Sequence, residues 1–273
     1  MELKSTRYAV ADGIATVTLH RPERMNAWTG RMHTEYRWLM DQADRDPAVG
    51  AIIVTGEGRA FCAGGDAKAL EGHVAKGGYD PGTPEDLAEP GHGVRPEFDA
   101  FFAWHCGLTK PVVAAINGAA AGVGFALACW CDLRFAAAGA KMTTAHGPLG
   151  LPAEYGLSWL LPRMIGLGHA NDLLLSSRKF LAEEALAMGL VNDVLPRETL
   201  LDHTRDWLRD VLARVAPSSL TATRHQVYAD LHRSAAESVR DSERRLEAMM
   251  KSDDYREGVA AFVGKRAPNW RPS

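Results

Sequence analysis

What this sequence lacks narrows it first. No run approaches the 18 uncharged apolar residues that would cross a bilayer as a helix. Residues 1–5 hold neither an apolar secretory core nor an Arg-rich transit segment. The expectation is a soluble cytoplasmic protein with no membrane partner. Charge of either sign is nearly cancelled: 31 Lys and Arg against 34 Asp and Glu leave a net −3, so the electrostatic footprint of a nucleic-acid binder is missing. Cysteine is sparse. Cys62, Cys106, Cys129 and Cys131 sit among apolar or small residues, and Cys129-Trp130-Cys131 has neither the spacing nor the partner pair of a zinc site, so buried thiols and no metal are expected. Walker loops, H-E-x-x-H and G-x-S-x-G are absent, which removes the essential parts of phosphoryl transfer, zinc hydrolysis and serine hydrolysis.

What is present alternates strand and helix. Asp12-Gly13 is a favoured tight hairpin turn between 8–11 and 14–19. Met32, Tyr36, Leu39, Met40 and Ala43 recur at helical spacing over 29–43. The apolar runs 51–55 and 112–116 read as strands buried on both faces, 132–136 as a third strand and 190–194 as a fourth. A helix is expected through Phe98, Phe101, Phe102 and His105, after a Gly- and Pro-rich excursion over 71–97. Helices near 197–215, 217–232 and 234–250 carry apolar stripes beside charged faces and need a partner surface. The βαβα order implies an α/β fold with a sheet and helices outside it.

Two glycine turns each follow a buried strand: Gly64-Gly65, and 118–124. A strand that delivers the chain to a glycine turn and then a helix leaves backbone N–H groups unsatisfied at the helix start, where negative charge is stabilised. Two such turns that converge make an oxyanion hole; two that do not are simply turns requiring small residues. Gly122-Val123-Gly124 also opens a dinucleotide-like G-x-G-x-x-L, but the third glycine and the acidic residue about 20 positions on are missing.

The combination is more specific than either turn. Arg21-Pro22-x-x-x-Asn26-Ala27, Phe61-Cys62-Ala63-Gly64-Gly65-Asp66, 110–118 (KPVVAAING), Gly122-Val123-Gly124, Cys131-Asp132 and Leu161-Pro162-Arg163 occur in the order seen in the crotonase superfamily, and the chain resembles its enoyl-CoA hydratase/isomerase members over nearly its whole length. The resemblance implies a ββα superhelical (spiral) core over 1–196, a C-terminal helical trimerisation region over 197–273, homotrimers or homohexamers, and an acyl-CoA thioester substrate, with coenzyme A part of the substrate and no separate cofactor. It places the oxyanion N–H groups on Gly65 and Val123, the CoA adenine near Asp66, Ala67 and Lys68, and a CoA phosphate near Lys265.

The chain also departs from the family. Where typical hydratases hold water between two glutamates, it has Ala126 and His146. Glu154, eight residues beyond His146, falls where dienoyl-CoA isomerases carry a catalytic carboxylate. A glutamate in the otherwise uncharged stretch 149–161 is expected to have a raised pKa through desolvation. Glu154 is therefore the expected proton carrier, with His146 either a second acid/base or a hydrogen-bonded core group. Met25, Trp28 and Tyr155 are candidates for an acyl pocket or for plain core, with Phe98, Phe101 and Trp104 as a cap. The leading expectation is an acyl-CoA lyase or isomerase. A carbon–carbon (β-diketone type) hydrolase and a catalytically silent acyl-CoA binder are the alternatives.

Overall fold

A computed structural model describes residues 1–66, 71–72, 75 and 96–270. Strands β1 (Thr6–Ala11) and β2 (Ile14–Leu19) form the expected hairpin, with Asp12 and Gly13 both at positive φ (52° and 74°), as a tight turn of that type demands. Helix α1 (Gly30–Arg45) starts where the Thr29 side chain accepts the Met32 N–H at 3.1 Å. It buries Met32, Tyr36, Leu39, Met40 and Ala43, and returns the chain to β3 (Ala51–Gly56), parallel to β2.

From β3 onward the chain winds in repeated passes. A strand of one sheet turns a corner into a three-residue strand of a second sheet. β3 is followed by β4 (Ala60–Cys62); β5 (Val112–Ile116) by β6 (Ala119–Ala121) and α2 (Val123–Trp130); β7 (Leu133–Ala137) by β8 (Lys141–Thr143) and, after a loop, α3 (Leu157–Ser176). Asn117 ties two corners together, accepting from Gly56 N–H at 3.1 Å and donating to the Gly58 carbonyl at 2.9 Å. Then come β9 (Phe180–Leu181), α4 (Ala182–Ala187) and β10 (Asp193–Leu195). Among the described residues the large sheet runs β1-β2-β3-β5-β7-β10 and the small one β4-β6-β8-β9. This is the ββα spiral that the resemblance implied.

Two expectations are corrected. The segment 98–105 is not one helix: two 3₁₀ turns, Pro96–Phe98 and Ala103–Gly107, flank Phe102 at φ 58°. That conformation lets the Phe102 carbonyl accept from His105 Nδ1 at 2.6 Å, while His105 Nε2 pairs with the Tyr36 hydroxyl at 2.7 Å. The fourth strand begins at 193, not 190, because Leu190 and Val191 cap α4 instead, bonding back to the Ala185 carbonyl. The small sheet escapes a sequence reading altogether, since three-residue strands leave no period to find.

The tail is helical: α5 (Leu200–Arg214), α6 (Pro217–Asp230), α7 (Ala235–Met249) and α8 (Asp253–Val263). α5 packs on the large sheet through buried Leu200, Thr204 and Leu208. α7 and α8 leave Val239, Leu246, Phe262 and Val263 exposed. No helix among the described residues is long and apolar enough to cross a membrane.

Candidate active site

Asn26 builds the floor. Fully buried at φ 56°, it accepts the Arg21 N–H at 2.8 Å and donates to the carbonyls of Glu57 and Ala60 at 2.9 and 2.8 Å. This pins the 21–28 loop against the β3–β4 corner. Three backbone bonds then strap that loop to the end of β4: Ala63 N–H to Met25 O (3.1 Å), Trp28 N–H to Gly64 O (2.8 Å) and Asp66 N–H to Trp28 O (3.0 Å). Between the last two, the Gly65 N–H has no acceptor among the described residues.

Parallel pairing of β4 with β6 (Cys62 opposite Ala120) carries the second glycine turn alongside the first. Gly122 caps α2 at φ 49°, and a Cβ placed there would come within 4.0 Å of the Gly64 Cα. Val123 is the first residue of α2, so its N–H has no intrahelical partner. Gly124 is fixed by close approach: a Cβ there would lie 2.2 Å from the Cys62 carbonyl oxygen. Gly65 and Val123 thus stand on two abutting turns, as an oxyanion hole requires. Ala126, one turn further along α2, is buried and brings no carboxylate.

The third pass supplies the ionisable groups. Gly122 N–H donates to Thr143 O at 3.1 Å, which holds the end of β8 against the same turn. His146 follows, buried, its Nδ1 without a hydrogen-bond partner among the described residues. Glu154 is half-buried and its carboxylate has no hydrogen bond among the described residues. Burial raises its pKa above the usual carboxylate value, and the charge of nearby His146 partly offsets this. The loop is held by Trp130, whose indole N–H donates to the Tyr155 carbonyl at 2.8 Å. His146 and Glu154 are therefore electrostatic neighbours.

Aromatic rings line the approach. Trp28 meets Phe102 at 5.5 Å between centroids, Phe102 meets Tyr155 at 5.7 Å, and Phe101 meets Tyr155 at 5.1 Å. Trp28, Phe101 and Tyr155 are thus brought together, while the Met25 backbone bonds to Ala63 and Pro22 rather than to these rings. Phe98 and Trp104 are not caps in the solvent-facing sense, for both are buried. Trp104 stacks on His105 at 4.1 Å beneath Arg37.

Asp66 forms an ion pair with Arg21 at 3.0 Å. Ala67 and Lys68 lie outside the described residues. Lys265 sits past the end of α8, exposed and outside this cluster. His33 was not foreseen, because its helical position beside the Met32 stripe reads as ordinary core. It stacks on Phe101 at 4.6 Å, and burial with the charge of Arg37 lowers its pKa to about 4. The cysteines are buried and unpaired, with the thiols of Cys62 and Cys129 pushed up to about 12 by burial, so neither supplies a thiolate at neutral pH. Among the described residues no group of three or more His, Cys, Asp or Glu could hold a metal.

Comparison with known proteins gives matches over nearly the whole chain. The family described as enoyl-CoA hydratase/isomerase matches residues 9–273. The chain is 34% identical to the 1,2-epoxyphenylacetyl-CoA isomerase of Escherichia coli over 96% of each chain. It is 33% identical to a probable enoyl-CoA hydratase of Rhodobacter capsulatus over 99% of each. Among solved structures, a probable enoyl-CoA hydratase/isomerase from Mycobacterium abscessus superimposes with a TM-score of 0.85 at 29% identity, covering 98% of this chain and 99% of that one.

Proposed function

Because the chain belongs to the enoyl-CoA hydratase/isomerase family and is a hydratase/isomerase-like enzyme, we propose that it moves a proton on an acyl-CoA thioester, with double-bond migration the favoured reaction. The thioester oxygen accepts from Gly65 N–H and Val123 N–H. Glu154, as the carboxylate, takes a proton from the acyl chain, and the electron pair moves to the thioester oxygen as an enolate. The protonated Glu154 returns the proton to a different carbon, and the enolate collapses with the double bond shifted. No atom is gained or lost.

The observation that carries this reading is the half-buried carboxylate of Glu154, which has a raised pKa and no hydrogen bond among the described residues. A raised carboxylate pKa favours a group that both accepts and returns a proton. One shuttle suffices for isomerisation, whereas hydration in the manner of paired glutamates lacks its partner at Ala126. That the Escherichia coli relative is an isomerase by name supports isomerisation over hydration. We propose the same binding mode for coenzyme A as the family resemblance implied, with Lys265 at a phosphate. We also propose association of copies through the exposed apolar residues of α7 and α8.

The test is turnover of a panel of enoyl- and dienoyl-CoA esters in deuterated water. The expected result is a shifted double bond with deuterium in the product, lost in Glu154→Gln. No turnover of any ester, or equal turnover by the variant, would overturn it. The electrostatic contact between His146 and Glu154 carries a second reading, a β-diketone hydrolase. Diketone cleavage without affinity for CoA esters would select that one.

A further inference from the structure

Beside the candidate site lies a cavity of about 360 Å³ that the reaction described above does not use. Its lining is rich in flat rings. On one side Phe101 and Tyr155 meet at 5.1 Å between centroids, tilted by 31°, with His33, outside the lining, stacked on Phe101 at 4.6 Å. On the other, Trp130, Trp159 and His232 lie nearly parallel, at 6.0 Å with an interplanar angle of 10° and at 5.6 Å with 13°. The cavity opens between Phe101 and Tyr155 on one wall and the Trp130 stack on the other. Small residues, Ala100, Ala103 and Gly156, keep it from being filled.

Helix α2 connects this slot to the oxyanion hole. Val123, Ala126 and Trp130 are spaced three and four apart, which places them on one face of the helix. Val123 stands at its start and Trp130 at its end, about 10 Å apart at the usual rise per residue. A substrate held at the Val123 N–H would run along this face, past the small and buried Ala126 side chain, toward the aromatic cavity. A carboxylate at position 126 would place a charge on that route; alanine leaves it apolar.

We propose that this slot receives a flat aromatic ring carried on the acyl group, so that the substrate is an aryl-bearing acyl-CoA rather than a straight-chain one. The inference rests on the thioester reading above. The volume fits, since an apolar cavity of about 150 Å³ already takes benzene, which leaves room here for a substituted or fused ring. Aromatic walls favour a ring over an alkyl chain of the same area because ring pairs attract one another beyond what burial alone supplies.

The experiment separates the slot from the chemistry by using unreactive ligands. Saturated phenylacetyl-CoA and butyryl-CoA are titrated against the full chain, following tryptophan fluorescence, with wild type and Trp159→Leu. The expected result is tighter binding of the phenyl ester by tenfold or more in wild type, with that preference falling to within threefold in Trp159→Leu while butyryl-CoA affinity stays within twofold. Equal affinities in wild type, or an equal loss for both esters in the variant, overturn the slot. A second substitution, Phe98→Leu, in the cavity lining where Phe98 meets His232 at 5.6 Å between centroids, guards against a folding defect at 159 and is expected to reduce the same preference. Failure of the reaction itself would appear only in turnover assays and leaves these affinities readable.

Discussion

Arg224 in α6 and Asp132, just after α2, form an ion pair at 2.8 Å that fastens the helical tail to the spiral. The guanidinium is buried and also donates to the carbonyls of His105, Cys106 and Leu108. Asp132 in turn accepts the Val112 N–H at 2.7 Å and the Tyr228 hydroxyl at 2.5 Å. One contact therefore joins β5, the segment around Phe102 and α6.

Removing one member leaves the other charge buried. Asp132→Ala is expected to destabilise by about 3–5 kcal/mol, the usual cost of stranding such a charge. Urea unfolding followed by circular dichroism measures it. A loss below about 1 kcal/mol would show that solvent reaches Arg224.

Glu154→Gln separates activity from stability. The native carboxyl titrates above its ordinary value, so the folded state holds its proton to higher pH than the unfolded chain. Below the ordinary value both states are protonated and the group costs nothing. As pH rises through the interval between the unfolded and folded pKa, ionisation favours the unfolded state. The variant should therefore melt higher than wild type at pH 7 and match it at low pH, while kcat falls about a hundredfold or more. Thermal melts across pH, paired with turnover, check both halves.

His33 makes the opposite prediction. With its pKa lowered to about 4, it stays neutral when folded while the unfolded imidazole takes a proton near 6.5. Its contribution is full above 6.5 and is lost as pH falls toward about 4, with a total on the order of 3 kcal/mol. His33→Phe should flatten the acid limb of unfolding free energy against pH in that window. An unchanged limb would show that His33 is protonated in the fold.

Gly124→Ala tests the oxyanion hole without touching an ionisable group. The new methyl would sit 2.2 Å from the Cys62 carbonyl, so α2 must shift away from β4 and take Val123 N–H with it. A stability loss of about 1–3 kcal/mol is expected from overpacking. A fall in kcat of about a hundredfold is expected from a misplaced donor. Retained kcat with reduced stability would remove Val123 from the hole.

The long elements and the buried strands were legible because their periods are long enough to count: the Met32 to Ala43 stripe, the runs 51–55 and 112–116. The glycine turns were legible as a pair of signals, and the family resemblance converted them into one site. What stayed hidden depends on contacts across the chain. Phe102 at positive φ is held by His105 and Tyr36, and nothing in the neighbouring letters marks it. Asp66 offered a carboxylate whose partner, Arg21, lies 45 positions earlier. The two ring stacks draw residues from five separate segments between 33 and 232, so no window of sequence shows them.

In the proposed site the oxygen-holding groups are main-chain N–H, whereas the proton carrier is a side chain. A single codon change can replace Glu154 or His146 outright. No ordinary side-chain exchange at 65 or 123 deletes its donor; only proline does that, and otherwise the backbone itself must move. A site so built would keep its grip on the thioester while the groups after β8 are exchanged. Mutational libraries confined to 144–156 should therefore yield altered reactions more often than loss of CoA-ester binding.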